Sequence, residues 1–417
     1  SSAASDVYKR QVAGYKVAVS LYNGSTTEVC EFTVDRTGAT TTFSGSVPVG
    51  SYTCAAAHYP FCAATFDAVN KTFTHTWGDA YCSTDLAAYD FMFSTVYETP
   101  FVVDETTTVL PIALTFRPLM ARIGMKLALG ANETPKYVTF TTDDNVLPTA
   151  GTVNADGTFS ASALTNSLTV ETDRKEFTVG LLPVGVASKM SVHVTTTDGM
   201  TYSDKSFQLA GLKRNTHYTM NVPCRTKRFM LTVPDGVNSK YGTGTYGDNG
   251  FFQVEPQYDP ESIFDGWHFL RSEIKSDKDA ADGDVLKNRN RIQLQAVSLG
   301  TNRAQNGAFV TPPIQCDGTK TVTVSFTAAT NKLTVGSVQY RIGVTNNGAD
   351  ISENFLRSFD NIQSSLEGEC PWKHSGSVSR THTFTVTNGQ RIMMKVYSSG
   401  GGTPCHLELA DFTYTVE

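Results

Sequence analysis

Apolar and polar residues alternate along much of this chain, and that period of two restricts its fold more than any other feature. Residues 16–21 (KVAVSL), 122–129 (RIGMKLAL), 321–326 (TVTVSF) and 383–386 (TFTV) each carry the pattern. A strand of this kind places one face on a core and the other in water, which favours antiparallel β-sandwiches over parallel sheets. We therefore predict an all-β protein.

Turn signals separate these stretches. Asx-Gly dipeptides begin at Asn23, Asp156, Asp198, Asp317 and Asn388, each between strand-like sequences. Asx-Gly accepts the positive φ angles of tight hairpin turns, so each dipeptide predicts a β-hairpin.

Helical periodicity is scarce: only Pro260 to Lys275 and Ile351 to Leu366 predict short helices. The net charge of −6 provides no basic patch, which excludes nucleic acid as an expected partner. No run of eighteen apolar residues occurs, so we expect no membrane-spanning helix.

The length of 417 residues is too great for one ordinary domain. We predict β-sandwich domains at residues 12–110, 111–224 and 225–417, with joints near Pro111 and after Pro223. Residues 1–11 are left out of this division. Their segment DVYKRQ is what GAT-GTG-TAT-AAG-AGA-CAG encodes, a string that resembles a transposon end used in sequencing libraries. A genuine N-terminal tail is the alternative.

No two cysteines form a C-x-x-C pair, so the spacings typical of zinc sites and of thioredoxin-like redox motifs are absent. The eight cysteines are Cys30, Cys54, Cys62, Cys82, Cys224, Cys316, Cys370 and Cys405. In an oxidising compartment we expect disulfides within the first four and between the last two. Buried free thiols in sandwich cores are the alternative.

Four segments resemble the fimbrillin-like family of Bacteroidales surface proteins. Residues 89–93 (YDFMF) precede residues 114–123 (LTFRPLMARI), as a D-L-M-Y-like segment precedes the strand that opens the family's second domain. Residues 49–52 (VGSY) are similar to the family's strand entry in its first domain. Residues 209–222 (LAGLKRNTHYTMNV) are similar to its closing strand.

The resemblance covers roughly residues 15–224 and implies two tandem transthyretin-like β-sandwiches. It also implies export as a lipoprotein to the outer membrane, through an N-terminal lipid anchor missing from this sequence, and frequent incorporation into pili by strand exchange. Other pilin subunits would be the partners. Arg36 is the candidate processing site where an N-terminal strand would be released, and a solvated loop arginine is the alternative.

Residues 225–417 resemble a different domain type. Residues 307–312 (GAFVTP), 322–326 (VTVSF) and 407–414 (LELADFTY) are similar to jelly-roll domains of the galactose-binding-like type. This resemblance implies an adhesin domain, and hence a tip or accessory subunit rather than a repeating stalk unit.

Catalytic motifs are absent: there is no H-E-x-x-H, no G-x-S-x-G and no Walker-type loop, so we predict no enzyme activity. We predict no cofactor apart from a possible Ca²⁺ site. Its ligands would be the carboxylates of Asp277, Asp279, Asp282 and Asp284. A solvated acidic loop is the alternative.

Aromatic side chains in loop-like stretches provide the second candidate site, because sugars stack on such rings. The candidates are Trp372, Trp267, Tyr241 and Tyr246. For Trp267, which lies beside Phe264 and Phe269, a core position is the alternative.

These observations predict a structural or adhesive cell-surface protein, namely a tip or accessory subunit of a strand-exchange pilus. Its partners would be pilin subunits and host or microbial glycans or proteins. The alternatives are a surface-tethered glycan-binding lipoprotein outside a pilus and a carbohydrate-active enzyme.

Overall fold

Strands dominate the computed structural model. It describes residues 12–110, 112–154, 156–233, 238–241, 258–259, 264–276, 286, 289–296, 306–331, 337–371, 376–399 and 405–417. Within these ranges the helical elements are α1 (Leu86–Tyr89), α2 (Glu353–Arg357) and a 3-10 turn at Asp79–Tyr81. The all-β prediction is confirmed.

The strands are short and numerous. Those of the first half are β1 (Lys16–Tyr22), β2 (Thr27–Val34), β3 (Phe43–Gly45), β4 (Gly50–Tyr52), β5 (Cys54–Tyr59), β6 (Thr65–Asp67), β7 (Thr72–Thr76), β8 (Met92–Ser94), β9 (Phe101–Val103), β10 (Phe116–Pro118), β11 (Ala121–Leu127), β12 (Pro135–Thr142), β13 (Leu147–Asn154), β14 (Phe159–Thr165), β15 (Ser167–Glu171), β16 (Glu176–Leu181), β17 (Ser188–Thr196), β18 (Thr201–Leu209) and β19 (His217–Val222). Those of the second half are β20 (Lys227–Met230), β21 (Asn238–Tyr241), β22 (Tyr258–Asp259), β23 (His268–Leu270), β24 (Ser272–Lys275), β25 (Arg291–Ala296), β26 (Ala308–Val310), β27 (Thr319–Asn331), β28 (Ser337–Val344), β29 (Gln363–Pro371), β30 (Val378–Thr387), β31 (Ile392–Ser399) and β32 (Cys405–Val416).

The helix predicted over Pro260–Lys275 is wrong. Residues 268–275 form β23 and β24, which belong to different sheets and are separated only by Arg271 at φ 44°. A single left-handed residue turns the chain from one sheet into the other. The helix predicted over Ile351–Leu366 is limited to α2, where the Ser352 side chain accepts a hydrogen bond from the Phe355 N–H at 3.2 Å.

The chain divides into two compact units. Unit 1 contains residues 1–128, 135–194 and 203–224; unit 2 contains residues 129–134, 195–202 and 225–417. The finer division at residue 111 stays a prediction.

Unit 1 begins with a six-stranded sheet in the order β10-β8-β5-β1-β2-β3. Strand β1 lies inside this sheet, and its Val17, Val19 and Leu21 are buried in the core as the alternation predicts. Ala18 and Ser20 on the opposite face are buried as well, whereas the alternation places that face in water. In a second sheet, β14-β13-β7-β6, Phe73 of β7 pairs with Val153 of β13. Strands from both predicted N-terminal domains therefore share one sheet.

Unit 2 is a two-sheet β-sandwich. One layer contains β20, β32, β25, β24 and β21, with β27 paired to β32 and β30 paired to β27. The other layer has the order β22-β23-β26-β31-β28-β29. Side chains from both layers meet in one core, for example Leu409 and Val324 from the first and Phe309 and Met394 from the second. Strand β32 is central, because it pairs with β20, β25 and β27.

Candidate functional site

An extended segment between β9 and β10 is the most unusual backbone feature of unit 1. Leu110, Ile112, Leu114 and Phe116 pack against the core of the first sheet and are half-buried, whereas Ala113 between them is exposed. This spacing is that of a β-strand with one face on a core.

The segment nevertheless has few strand-type hydrogen bonds. At its end, the Thr115 carbonyl accepts a bond from the Thr95 N–H at 2.9 Å. Residues 108–110 and 112–114 make no backbone hydrogen bond to any other described residue. Strand-like side-chain packing is thus combined with a backbone that lacks a neighbouring strand among the described parts of the chain.

The far edge of the same sheet lies close by. Phe43 of the edge strand β3 approaches Phe116 with ring centroids 5.7 Å apart. We call Phe43, Leu110, Ile112, Leu114 and Phe116 the open edge. Half-exposed apolar side chains beside free backbone groups are what an added β-strand can cover and satisfy.

Arg36, the predicted processing residue, lies in the exposed loop between β2 and β3, where its N–H donates to Thr41 Oγ1 at 3.3 Å. A protease could reach this loop. Cleavage there would leave β1 held by its pairing with β5 over Ala18–Tyr22. A cut after Arg36 therefore does not by itself release β1.

The structure corrects one aromatic candidate. Trp267 is 2% exposed and lies in the unit 2 core, stacked on Phe269 with centroids 5.8 Å apart and also against Phe229 and Phe309. No ring face is left for a sugar, so Trp267 is a core residue. The core alternative, which rests on the neighbouring Phe264 and Phe269, is therefore the correct one, and the distant rings Phe229 and Phe309 complete the cluster.

The structure describes only a small part of the other predicted site residues. The backbone of Tyr241 pairs with Ser272 in β21–β24, and its side chain lies outside the described atoms. Trp372, Tyr246 and the aspartates at 277, 279, 282 and 284 lie outside the described residues. In the ranges that the structure covers, no group of three or more His, Cys, Asp and Glu side chains could hold a metal ion.

Five of the eight cysteines follow the free-thiol alternative, namely Cys30, Cys54, Cys62, Cys82 and Cys316. The pairing of Cys370 with Cys405 stays a prediction, because the side chain of Cys405 lies outside the described atoms. Burial raises the pKa of Cys82 to about 12 and that of Cys370 to about 11. Buried thiols of raised pKa are poor nucleophiles and behave as small core residues.

A buried ion cluster in unit 2 was not anticipated from the sequence. The Lys227 Nζ lies 2.6 Å from Asp198 Oδ2 and 3.0 Å from Glu133 Oε1, and the Lys227 side chain is 1% exposed. Tyr202 donates a further hydrogen bond to Glu133 Oε1 at 2.5 Å. The cluster joins the three chain segments of unit 2 and is structural, because its groups are buried and satisfy one another.

Two further titratable residues are buried. His58 is 0% exposed, and its burial lowers its pKa to about 4. Lys395 is 0% exposed, and its burial lowers its pKa to about 7. No described helix has the length and apolar character needed to cross a membrane.

Comparison with known proteins gives one family match. A sequence model of the fimbrillin-like family matches residues 12–234. No curated protein matches the chain.

Several solved structures are similar in part. The tip fimbrial protein Mfa3 from Porphyromonas gingivalis, with a C-terminal truncation, shows 11% identity over 54% of this chain and 94% of its own, with a TM-score of 0.28. The fimbrial anchor protein Mfa2 from the same organism shows 13% identity over 54% of this chain and 85% of its own, with a TM-score of 0.27. A protein from Bacteroides ovatus assigned to cell adhesion shows 17% identity over 51% of this chain and 83% of its own, with a TM-score of 0.33.

Proposed function

The chain belongs to the fimbrillin-like family, and from this premise we propose that it is a tip or accessory subunit of a strand-exchange pilus. Family membership supports a structural, adhesive and pilus-associated role at the cell surface. The finer proposal is that the first sheet of unit 1 accepts a β-strand from a neighbouring pilin subunit.

The open edge is the observation that carries this proposal. An incoming strand laid along residues 108–110 and 112–116 would cover the half-exposed Leu110, Ile112 and Leu114. It would also supply partners for the backbone groups of residues 108–110 and 112–114, which have none among the described residues. Because both gains are made by one extended segment, strand addition fits this edge better than a small ligand does.

The position of β32 supports an accepting role rather than a donating one. This strand pairs with β20, β25 and β27, so its release would break the central ladders of its sheet. Attachment to the outer membrane through an N-terminal lipid is part of the same proposal.

Glycan recognition by residues 225–417 remains the alternative proposal, with Trp372, Tyr241 and Tyr246 as its aromatic candidates. A calcium ion on the acidic residues at 277–284 would belong to that alternative. We further propose that the protein has no enzymatic activity, because family membership indicates a structural role and no catalytic motif is present in the sequence.

A pair of neighbouring substitutions tests the strand-accepting role. Ile112→Lys places a charge at a half-buried position of the open edge, whereas Ala113→Lys places the same charge at the exposed position beside it. We expect Ile112→Lys to lose incorporation into sheared fibres from cells that assemble such pili, because a donated strand cannot cover a lysine there. Ala113→Lys should be incorporated like the unsubstituted protein.

Thermal melting of both purified variants checks that they fold alike. Equal incorporation of Ile112→Lys and Ala113→Lys would remove the open edge from the mechanism. Absence of the unsubstituted protein from the fibre fraction would reject the pilus role and favour the glycan-binding alternative.

A further inference from the structure

A cavity of about 370 Å³ opens on the surface of unit 1, where strand β1 begins and its antiparallel partner β5 ends. Strand β2 and helix α1 complete its wall. A volume of this size is typical of small-molecule sites, which combine an apolar wall with a few polar groups. None of the open-edge residues lines this cavity, so strand exchange does not account for it.

One wall of the cavity carries the ring of Phe61. This side chain is 43% exposed, more than any other phenylalanine, tyrosine or tryptophan whose side chain the structure describes. The Phe61 N–H donates a hydrogen bond to the Lys16 carbonyl at 3.0 Å, which fixes the backbone beneath the ring. The ring therefore presents apolar surface in a defined position, and a ligand that covers it removes that surface from water.

A second aromatic side chain, Tyr59, forms a rigid part of the same wall. It is 6% exposed, and its ring stacks on that of Tyr15 with centroids 5.3 Å apart. Its hydroxyl donates a hydrogen bond to the Ala87 carbonyl. Because the ring and the hydroxyl are both held by the protein, this part of the cavity is formed before a ligand arrives, and binding need not order it.

An ion pair supplies the polar part of the wall. The Lys16 Nζ lies 2.9 Å from Glu31 Oε1 and donates to Thr33 Oγ1 at 2.7 Å. An ammonium group has three donors, so one donor of Lys16 remains for a ligand, and the second oxygen of Glu31 can accept. The two opposite charges cancel, so the cavity offers a donor and an acceptor side by side without a net charge.

We propose that this cavity binds one neutral pyranose ring of a carbohydrate, with the C–H face of the sugar on Phe61 and its hydroxyl groups on Lys16 and Glu31. A pyranose has an apolar face and a rim of hydroxyl groups, so it matches both parts of the wall. An apolar peptide side chain would cover the ring, but it would take water from the ion pair without replacing the lost hydrogen bonds. A charged ligand would be repelled by one member of the pair.

This inference deepens the adhesive role proposed above and rests on it, whereas it is independent of strand exchange. It places carbohydrate recognition in unit 1, whereas the alternative proposal places it in residues 225–417. Contact with a single sugar ring predicts weak binding, with a Kd of about 1 mM.

Saturation-transfer NMR on the full chain tests the site, with the methyl glycosides of glucose, galactose, mannose and N-acetylglucosamine as probes. Irradiation of the protein's aromatic protons should transfer saturation to the ring C–H protons of at least one glycoside. Phe61→Ala should weaken its binding about tenfold, and Phe61→Tyr, which keeps the ring, should restore it. Val102→Ala is the matched control, because it shortens a side chain of unit 1 that is 66% exposed and lies outside the cavity.

A second pair of variants tests the polar part of the wall. Lys16→Met removes the ammonium donor but keeps most of the stem, and it should weaken binding about fivefold or more. Lys126→Met is its control, because Lys126 forms an exposed ion pair with Glu176 at 3.1 Å elsewhere in unit 1. This control should leave the Kd unchanged.

The site is refuted if none of the four glycosides receives saturation, or if Phe61→Ala and Val102→Ala bind with the same Kd. Thermal melting checks that these two variants fold alike. Phe61→Ala should still enter pilus fibres, and Ile112→Lys should still bind the sugar. Loss of one activity with retention of the other therefore distinguishes failure of the sugar site from failure of strand exchange.

Discussion

Lys395 is a buried lysine of unit 2 whose pKa lies far below its ordinary value. Its Nζ donates to the Asn306 carbonyl at 2.9 Å and lies 5.2 Å from the centroid of the Phe359 ring. Burial lowers its pKa from the ordinary 10.5 to about 7, and the charges of Arg357 and Arg271 act in the same direction. Protonation of this amine is therefore unfavourable in the folded protein.

The sign of the resulting pH dependence follows from the two pKa values. Between pH 7 and 10.5 the unfolded chain carries a proton on Lys395 that the folded chain lacks, so the stability of unit 2 should rise with pH. Lys395→Met should raise the free energy of unfolding at pH 7 by about 2 kcal/mol and flatten this rise. Urea titrations at several pH values measure both effects. An unchanged slope in the variant would show that Lys395 is not the titrating group.

At the scale of elements, the Lys227 side chain of strand β20 pairs with two carboxylates from other segments of the chain, those of Asp198 and Glu133. Lys227→Met would leave the buried carboxylates of Asp198 and Glu133 without their cation, and should destabilise the protein by about 3–5 kcal/mol. Arg228→Met is the matched control on the same strand. Its side chain is exposed, so its effect should stay within about 0.5 kcal/mol. Equal midpoints for the two variants in chemical denaturation would contradict the assigned role of the cluster.

The sequence predicts individual strands from their local pattern, but it does not show which strands pair with each other. The alternation in residues 16–21 and 122–129 predicts β1 and β11 because core-facing side chains recur at every second position. The same pattern cannot show that β7 pairs with β13, since that register depends on residues far apart in the chain. The helix predicted to end at Lys275 is wrong because its last eight residues form two strands in different sheets, separated by one left-handed residue, Arg271.

The candidate site was anticipated only in part, for a related reason. The sequence marks residues 114–123 through the family resemblance, but the open edge depends on which backbone groups lack partners. Pairing of that kind is a property of the assembled sheet. Trp267 was a sugar-site candidate because it lies in a loop-like stretch, with a core position beside Phe269 as the alternative. Its contacts with Phe229 and Phe309, which come from distant parts of the chain, establish the core position.

At the scale of the whole molecule, the two units carry buried titratable groups of different pH range. His58 belongs to unit 1, where it stacks on Phe91 with centroids 5.6 Å apart and its Nε2 lies 3.2 Å from the Cys62 carbonyl. Lys395 belongs to unit 2. Two compact units with separate cores are expected to unfold in separate transitions.

Acid should therefore act first on unit 1. Between pH 6.5 and 4 the unfolded chain binds a proton at His58 that the folded chain does not, because burial lowers the folded pKa to about 4. This linkage should lower the stability of unit 1 by about 3 kcal/mol over that range.

Calorimetric scans from pH 7 to 4 should show one transition moving to lower temperature more steeply than the other. His58→Phe should reduce that difference, whereas His217→Phe, at an exposed position of β19, should leave it unchanged. A single transition at every pH, or equal shifts in both variants, would show that the units do not respond separately to acid.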